Sequence, residues 1–349
     1  MVKAKSTRIR YINWLRIAAI YTVVGAHIAI WTAEGQEPLN FAWWVGNAIH
    51  ILAIWTVPVF LMVSGVLLLD NRRDESAVDF YKKRMHRIGV PVVFWTVVYI
   101  VARRYIGHEQ LTPRYVGWLI FTVTPYYHLW YLLMIPGVYL LTPPLRVFVK
   151  RATPKQRVLA IVVILGLAIV YYPLNTLYLH WPRTIFTIFL PYVGYYLCGH
   201  ELALLGSKKM PRWSWIVLVV LSIGYAVLMA GPFVDNLGYV GDVYVVDFFA
   251  PPVILMALLV FRVAQSIEQR WQFKSRGFAK AEAWIASTTL GIYVLHPLVL
   301  EYMREKMSNR AADEGLFVAL TVGPMIAFGA SYILTSLMMN VPFLRRTVA

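Results

Sequence analysis

Apolar runs long enough to cross a bilayer dominate this sequence. A hydrocarbon core of about 30 Å needs about 20 apolar residues in a helix. With 59% hydrophobic and 14% charged residues, the 349-residue chain has too few charges to cover a water-soluble globule. The sequence therefore predicts an all-α integral membrane protein, a polytopic bundle of about ten transmembrane helices. The runs lie near 11–31, 43–69, 88–106, 127–148, 157–172, 184–205, 213–231, 243–265, 284–302 and 315–340.

Lys and Arg are distributed unevenly between the segments that join these runs. If the N-terminus is cytoplasmic, 25 of the 33 Lys and Arg residues fall in inner segments and seven in outer ones. Because positive residues accumulate on the cytoplasmic side of membrane proteins, this distribution predicts that both termini are cytoplasmic. The net charge of +16 then reflects topology and attraction to anionic lipids rather than a nucleic-acid surface.

No repeat, low-complexity tract or linker divides the chain. Residues 1–349 are therefore predicted to form a single transmembrane domain without a separate soluble domain. The lone Cys198 excludes an intrachain disulfide and a zinc–thiolate site, and no metal site is expected. The stretch 115–126 is expected to be re-entrant or interfacial.

One face of the first apolar run carries two ionisable residues. Arg16 and His27 are 11 positions apart, which in an α-helix places both on one face, roughly 16 Å apart along the axis. One interpretation is structural, with Arg16 reaching the inner headgroups and His27 bonding a neighbouring carbonyl. The other is functional, because ionisable residues within spans usually face a cavity and a histidine can act there as a general base. That chemistry fits a transferase and a proton-coupled transporter alike.

The segment before the third run carries a pair of arginines. In "DFYKKRMHRIGVP", residues 79–91, Arg84 and Arg87 are three positions apart and Phe80 lies one turn before Arg84. A short amphipathic helix would place the two guanidinium groups side by side at the cytoplasmic face, where they can bind phosphate groups bidentately. The alternative is a basic juxtamembrane stretch that only sets topology.

Together these two clusters carry a family resemblance. Arg16 and His27 in the first helix, with the arginine pair before the third, resemble the membrane acyltransferase-3 family, bacterial ten-helix proteins that move acyl groups from acyl-CoA onto extracytoplasmic glycans. The chain looks like the stand-alone form, similar to enzymes that O-acetylate enterobacterial common antigen or related surface sugars. Further similar stretches are "PVFLMVSGVLL" (58–68), "HLWYLLMI" (128–135), "FLPYVGYYLCG" (189–199) and "STTLGIYVLHPLV" (287–299).

The resemblance implies roles for individual residues. His27 would be the catalytic base, and Arg16 would line the passage of CoA or position the site on the first helix. Arg84 and Arg87 would hold the nucleotide phosphates of the donor. Asn13 stands where the family often has an acidic residue, so only an orienting or hydrogen-bonding role is expected there. Acyl-CoA, by default acetyl-CoA, is then a co-substrate, and no permanently bound cofactor is expected.

Three residues of the similar stretches are weaker candidates for the site. His128 and Trp130 are predicted where the fourth helix leaves the outer surface, and His128 would either contact an acceptor sugar or be an interfacial structural residue. His296 precedes Pro297, whose missing N–H frees a carbonyl within its helix. His296 is therefore either a helix-packing ligand or a catalyst.

Ser64 and two carboxylates complete the candidates. Ser64 beside Gly65 is expected to permit close helix packing rather than act as a nucleophile, since "VSGV" is not the G-x-S-x-G pattern. Carboxylates within the spans are scarce, and we expect Glu201 or Asp247 to pair with an arginine.

The sequence thus predicts a membrane O-acyltransferase of the bacterial cytoplasmic (inner) membrane. Its partners would be acyl-CoA, a hydroxyl of an extracytoplasmic or lipid-linked glycan, and membrane lipids, with no nucleic acid. A proton-coupled transporter or flippase for a sugar or lipid-linked glycan is the alternative, although its usual sign, matching broken helices in two related halves, is not evident. A purely structural membrane partner would leave Arg16, His27 and the arginine pair unexplained.

Overall fold

Helices joined by turns form the whole described part of the chain in a computed structural model, which describes residues 10–34, 40–70, 75–206, 211, 213–230, 247–270, 276–307 and 316–349. No strand lies among these residues, which confirms the all-α prediction. Two π-helical turns, Met85–Gly89 and Asn175–Leu179, follow α4 and α8. The α-helices are α1 (Arg10–Ala33), α2 (Phe41–Ala53), α3 (Thr56–Leu69), α4 (Ala77–Arg84), α5 (Val90–Tyr105), α6 (Pro113–Phe121), α7 (Trp130–Arg151), α8 (Pro154–Leu174), α9 (Tyr192–Leu204), α10 (Trp213–Ala230), α11 (Pro251–Arg270), α12 (Arg276–Ser287), α13 (Thr289–Met307), α14 (Leu316–Met338) and α15 (Pro342–Val348).

Seven helical stretches of the described chain are long and apolar enough to cross a membrane. The pair α12–α13, bent by 57°, makes an eighth if it is counted as one span. The helices α9, with 13 residues, and α10, with its apolar part at Ile216–Tyr225, account for the remaining predicted runs but are shorter. The chain is therefore a multi-pass membrane protein, and ten spans with both termini cytoplasmic stay a prediction.

Several apolar runs are interrupted where the sequence predicted one helix. The second run breaks at Ile54 and Trp55 into α2 and α3, and the ninth breaks at Thr288 into α12 and α13. The helix of the third run begins earlier than predicted, because α4, a π-helical turn and α5 form one stretch, Ala77–Tyr105. The beginning of the eighth run lies outside the described residues. The stretch 115–126, predicted to be re-entrant or interfacial, overlaps the short helix α6.

Helix α1 lies in the interior of the bundle, in contact with α2, α3, α11, α12, α13 and α14. Its apolar residues Ile20, Val24 and Ile28 pack in one cluster with residues of α13 and α14. A helix that buries apolar residues on most of its circumference belongs to a core. The polar residues of α1 are therefore enclosed by other helices rather than by lipid.

The closest helix contact joins α3 to α9 through two glycines. A Cβ on Gly65 would lie 1.8 Å from the carbonyl oxygen of Tyr196, and a Cβ on Gly199 would lie 1.9 Å from that of Met62. Small residues let helix backbones approach in membranes, where packing rather than the hydrophobic effect drives association. This confirms the expected packing role of the Ser64–Gly65 pair.

We expect Gly65→Ala to destabilise the protein by about 1–3 kcal/mol, the usual cost of overpacking, because α3 and α9 must separate to admit the methyl group. Gly166→Ala is the matched control, since no atom lies within 4 Å of its added Cβ. That change should be neutral or stabilise by up to about 1 kcal/mol through helix propensity. Thermal unfolding in detergent, followed by tryptophan fluorescence, compares the two variants. Equal melting temperatures would contradict the close contact.

Both carboxylates singled out within the spans pair with arginines, as predicted. Arg157 Nε lies 2.5 Å from Glu201 Oε1, and an Arg183 nitrogen lies 3.5 Å from Asp247 Oδ2.

Segments that the sequence assigns to the same side of the membrane also bond to each other. On the predicted inner side, an Arg262 nitrogen donates to the Gly206 carbonyl at 2.8 Å. Which side of the membrane these segments face stays a prediction.

The sidedness is testable by labelling cysteines in intact cells. In a Cys198→Ser background, Gln110→Cys should react with an impermeant maleimide added from outside, whereas Lys155→Cys should react only after the cells are opened. Both positions are exposed, so burial does not confuse the comparison. The opposite labelling pattern would invert the predicted orientation.

Candidate active site

A cavity of about 560 Å³ lies among α1, α3, α4, α7 and α13 and is lined by three arginines and several aromatic residues. It gathers four residues that the sequence singled out: Arg16, Ser64, Arg84 and Arg87. A volume of this size is typical of small-molecule sites, whose apolar walls carry a few placed polar groups. The other lining residues are Phe60, Val63, Leu67, Leu68, Ile88, Tyr131, Leu132, Ile135, Tyr139, Thr289, Leu290 and Tyr293.

Arg16 faces this cavity from α1. One of its terminal nitrogens donates to Thr289 Oγ1 at 2.8 Å, and Arg16 forms no ion pair with any described residue. A guanidinium group has five N–H donors, so most of them remain available to a ligand. Of the two interpretations of Arg16, the structure favours the cavity over the inner headgroups.

Arg84 and Arg87 reach the same cavity from two kinds of helix. Arg84 is the last residue of α4, and Arg87 lies in the π-helical turn Met85–Gly89 rather than in the single amphipathic helix that the sequence predicted. The Arg84 guanidinium carbon lies 5.2 Å from the Phe80 ring centre and 5.8 Å from that of Tyr139, within cation–π range. Its Nε is buried and has no hydrogen-bond partner among the described residues.

The nearby carboxylate Glu75 serves other cations. Lys83 donates to Glu75 Oε1 at 2.7 Å, and Arg146 lies 3.3 Å from Oε2. These two cations lower the pKa of Glu75, with the Lys83 hydrogen bond as the largest cause. Within the described residues, Arg84 and Arg87 therefore keep uncompensated positive charge at the cavity, which favours an anionic ligand.

Asn13 lies outside the cavity, in a hydrogen-bonded cluster at the start of α1. Its side-chain amide donates to Glu282 Oε1 at 2.9 Å, while Arg10 donates to Glu282 Oε2 at 2.8 Å. Asn13 thus has a carboxylate partner on α12, a contact that the sequence did not reveal. Asn13 precedes His27 by 14 residues, about 21 Å of helix, so the structure does not bring it to the catalytic candidate.

Ser64 lines the cavity, but its hydroxyl is occupied. Ser64 Oγ donates to the Phe60 carbonyl oxygen at 2.9 Å within α3. This is the common back-bonding of a helical serine to the preceding turn. No base contacts the hydroxyl among the described residues, which agrees with the prediction that Ser64 is not a nucleophile.

His27 lies in a second cluster, with His128 and His296. The rings of His27 and His296 are nearly parallel, with centres 5.3 Å apart, and the His128 ring centre lies 5.5 Å from that of His296. His27 is half-buried, whereas His128 is 3% and His296 0% exposed. The ring of Tyr127 approaches His27 edge-on at 4.9 Å. Three histidines from distant parts of the sequence are therefore in one place.

The two clusters are joined by Tyr293. This residue lines the arginine cavity, and its hydroxyl donates to the backbone carbonyl of His128. Its ring centre lies 5.3 Å from that of His128. A ligand bound at the arginines would therefore meet the histidine cluster across one aromatic side chain.

Trp130 belongs to a different cluster. Its ring packs 5.2 Å from Phe248 and 5.8 Å from Tyr192, and it does not line the cavity. These contacts are typical of a packing residue. The structure therefore places Trp130 in a cluster separate from His27.

No group of three His, Cys, Asp or Glu residues in the described part of the chain could hold a metal ion. That result covers His27, His128 and His296. The chemistry that the site itself can perform is acid–base chemistry beside a cationic cavity.

Sequence reasoning missed Glu282, Thr289 and Tyr293. A signal for two of them was present, because Thr289, Tyr293 and His296 follow the spacing i, i+4, i+7 and form one stripe of α13. That stripe faces the polar stripe of α1, which consists of Arg10, Asn13, Arg16 and His27. The position of Glu282 had no comparable local signal.

An apolar multi-helix bundle with these two clusters defines a polytopic membrane protein that encloses a polar site. The sequence model of the acyltransferase-3 family, described as an acyltransferase domain, matches residues 9–337. The chain belongs to this family and is a membrane acyltransferase. Comparison with curated proteins and with solved structures found no match.

Proposed function

We propose that the protein transfers an acyl group, acetyl by default, from cytoplasmic acyl-CoA to a hydroxyl of an extracytoplasmic or lipid-linked glycan at the bacterial inner membrane. The observation that carries the proposal is the arrangement along α1. Arg16 of α1 lines one cavity together with two further arginines. The half-buried His27 follows Arg16 on α1. Family membership favours transfer over the alternative of transport.

Arg84 and Arg87 hold the nucleotide phosphates of CoA in this proposal. They have no carboxylate partner among the described residues, and a phosphate accepts bidentate hydrogen bonds from a guanidinium group. Arg16, anchored on Thr289, lines the path of the pantetheine arm. That arm spans roughly 15–20 Å when extended, which matches the axial separation of Arg16 and His27, about 16 Å.

His27 acts as the general base in one direct transfer. The acceptor hydroxyl oxygen attacks the thioester carbonyl carbon while His27 takes the hydroxyl proton. The carbon–sulfur bond then breaks, the CoA thiolate leaves, and His27 returns the proton to the sulfur. The products are the O-acyl ester and free CoA, and no acyl-enzyme forms.

Arg84→Ala and Arg87→Ala should each weaken acetyl-CoA binding by about 1.5–3 kcal/mol, the range for hydrogen bonds to charged groups. Lysine at either position should restore binding only in part, because it keeps the charge but loses the planar fork. Titration calorimetry in detergent measures the affinity. At least one alanine variant should also lose most of the preference for CoA over dephospho-CoA.

Lys82→Ala is the matched control, since it removes the same charge from an exposed position of the same helix. It should leave the affinity within about 0.5 kcal/mol, as surface substitutions usually do. If the double arginine variant folds and binds acetyl-CoA as tightly as wild type, the assignment of Arg84 and Arg87 to the donor site is wrong.

His27→Ala should slow transfer severely, to a low residual rate, while acetyl-CoA still binds, because the base is needed for the chemistry and not for the nucleotide. The loss should be at least about 10²-fold, the lower range for removal of a general base. Incorporation of radiolabelled acetyl groups into membranes that contain the native acceptor measures transfer. His200→Ala, which removes a buried histidine of α9, should transfer normally. Wild-type turnover in His27→Ala would refute the assignment of the base.

A further inference from the structure

The ring of His296 is fixed by the helix in which it lies. Its Nδ1 is 2.7 Å from the Tyr293 carbonyl oxygen and 3.2 Å from that of Ile292. Pro297 has no N–H, so the Tyr293 carbonyl lacks its usual helical donor four residues on, and the histidine supplies one. This confirms the predicted freed carbonyl, which is that of Tyr293, and His296 is its hydrogen-bond partner.

This anchoring determines which ring nitrogen of His296 carries the hydrogen. Carbonyl oxygens only accept hydrogen bonds, so Nδ1 is the donor and Nε2 of the neutral ring is an acceptor. That Nε2 is fully buried, and no described residue offers it a hydrogen bond. Buried polar atoms without a partner are rare and call for a functional explanation.

The His296 ring is in direct contact with His27. The two rings stack with centres 5.3 Å apart and an interplanar angle of 21°. No carboxylate is bonded to His27 among the described residues, although a histidine base is commonly oriented by a third group of that kind. A base that takes a proton here becomes a cation in apolar surroundings and needs a compensating dipole.

We propose that His296 is a positioning residue that acts through His27, in the place that a carboxylate takes in other histidine-based transferases. The inference rests on the proposed function. The fixed ring holds the His27 imidazole by stacking, and its unpaired Nε2 stabilises the positive charge while His27 carries the proton of the acceptor hydroxyl. Because His296 is neutral, it provides this without placing a buried negative charge in the membrane.

The contacts of His128 support this assignment. In the described part of the chain, neither nitrogen of its buried ring has a hydrogen-bond partner, and its backbone carbonyl accepts a hydrogen bond from the Tyr293 hydroxyl. His128 also lies edge-on to the Tyr99 ring at 4.6 Å. The described residues that pack around His27 are thus neutral aromatic rings, including two imidazoles with unpaired nitrogens. Of these two imidazoles, His296 has a tautomer fixed by its carbonyl partner.

Two substitutions separate positioning from packing. His296→Phe keeps an aromatic ring on His27 but loses both nitrogens, whereas His296→Asn keeps an N–H donor and an acceptor but loses the ring. We expect His296→Phe to lower kcat roughly 10- to 100-fold, as the loss of a residue that orients a histidine does, with unchanged KM for acetyl-CoA. His296→Asn should recover part of that loss. If His296 only packs, Phe should be at least as active as Asn.

The decisive measurement is a double-mutant cycle with His27→Ala. Transfer of radiolabelled acetyl from acetyl-CoA is followed in membranes of cells that lack the chromosomal copy and express each variant. If His296 acts through His27, adding His296→Phe to His27→Ala causes no further loss, because the two effects are not additive. A further 10-fold loss would overturn the proposal, as would full activity of the single His296→Phe variant.

The controls separate failure of the proposed function from failure of the role assigned to His296. If wild-type protein transfers no acetyl from acetyl-CoA, the proposed function fails and this inference fails with it. If wild type transfers and His27→Ala does not, while His296→Phe is fully active, only the inference fails. Should His296→Phe not fold, as judged by its melting temperature, His296→Met replaces it in the same cycle, with the same expected non-additivity.

Discussion

The polar stripe of α1 can lie inside an apolar bundle only because one bent pair of helices supplies its partners. Arg10 and Asn13 bond to Glu282, Arg16 bonds to Thr289, and His27 stacks on His296. All three partners lie on α12 and α13, which meet at an angle of 57°. Polar groups without partners are costly in hydrocarbon, so the bend and the stripe require each other. The cavity lies beside this contact.

The two halves of the stripe differ in charge. Around Arg16 the described side chains leave guanidinium groups without carboxylate partners, because Glu75 pairs with Lys83 and Arg146 while Glu282 pairs with Arg10. Around His27 the neighbours are neutral rings. An anionic nucleotide is therefore attracted to one half, and a proton can be exchanged in the other without a competing fixed charge. Tyr293 contacts both halves and limits how far they are separated.

Local sequence patterns predicted the helices and much of the site. Helical periodicity placed Arg16 and His27 on one face, and the spacing of Arg84 and Arg87 predicted neighbouring guanidinium groups, both of which line one cavity. Hydropathy does not reveal breaks, so the interruptions at Trp55 and Thr288 were missed. Pairings between distant segments leave no local period, and for that reason Glu282 was not found. His296 was noticed through Pro297, since the missing donor is a local fact, but its contact with His27 required the fold.

The π-helical turn between α4 and α5 has a consequence for how this segment can vary. Such a turn accommodates one residue more than an α-helical turn, and each residue of an α-helix rotates the chain by about 100°. Deleting a single residue at Met85–Gly89 would convert the turn to regular α-helix and swing Arg84 away from the cavity, although every side chain in α4 was retained. Here the number of residues is constrained as well as their identity, because a change of length reorients Arg84 even when every side chain of α4 and both arginines are kept.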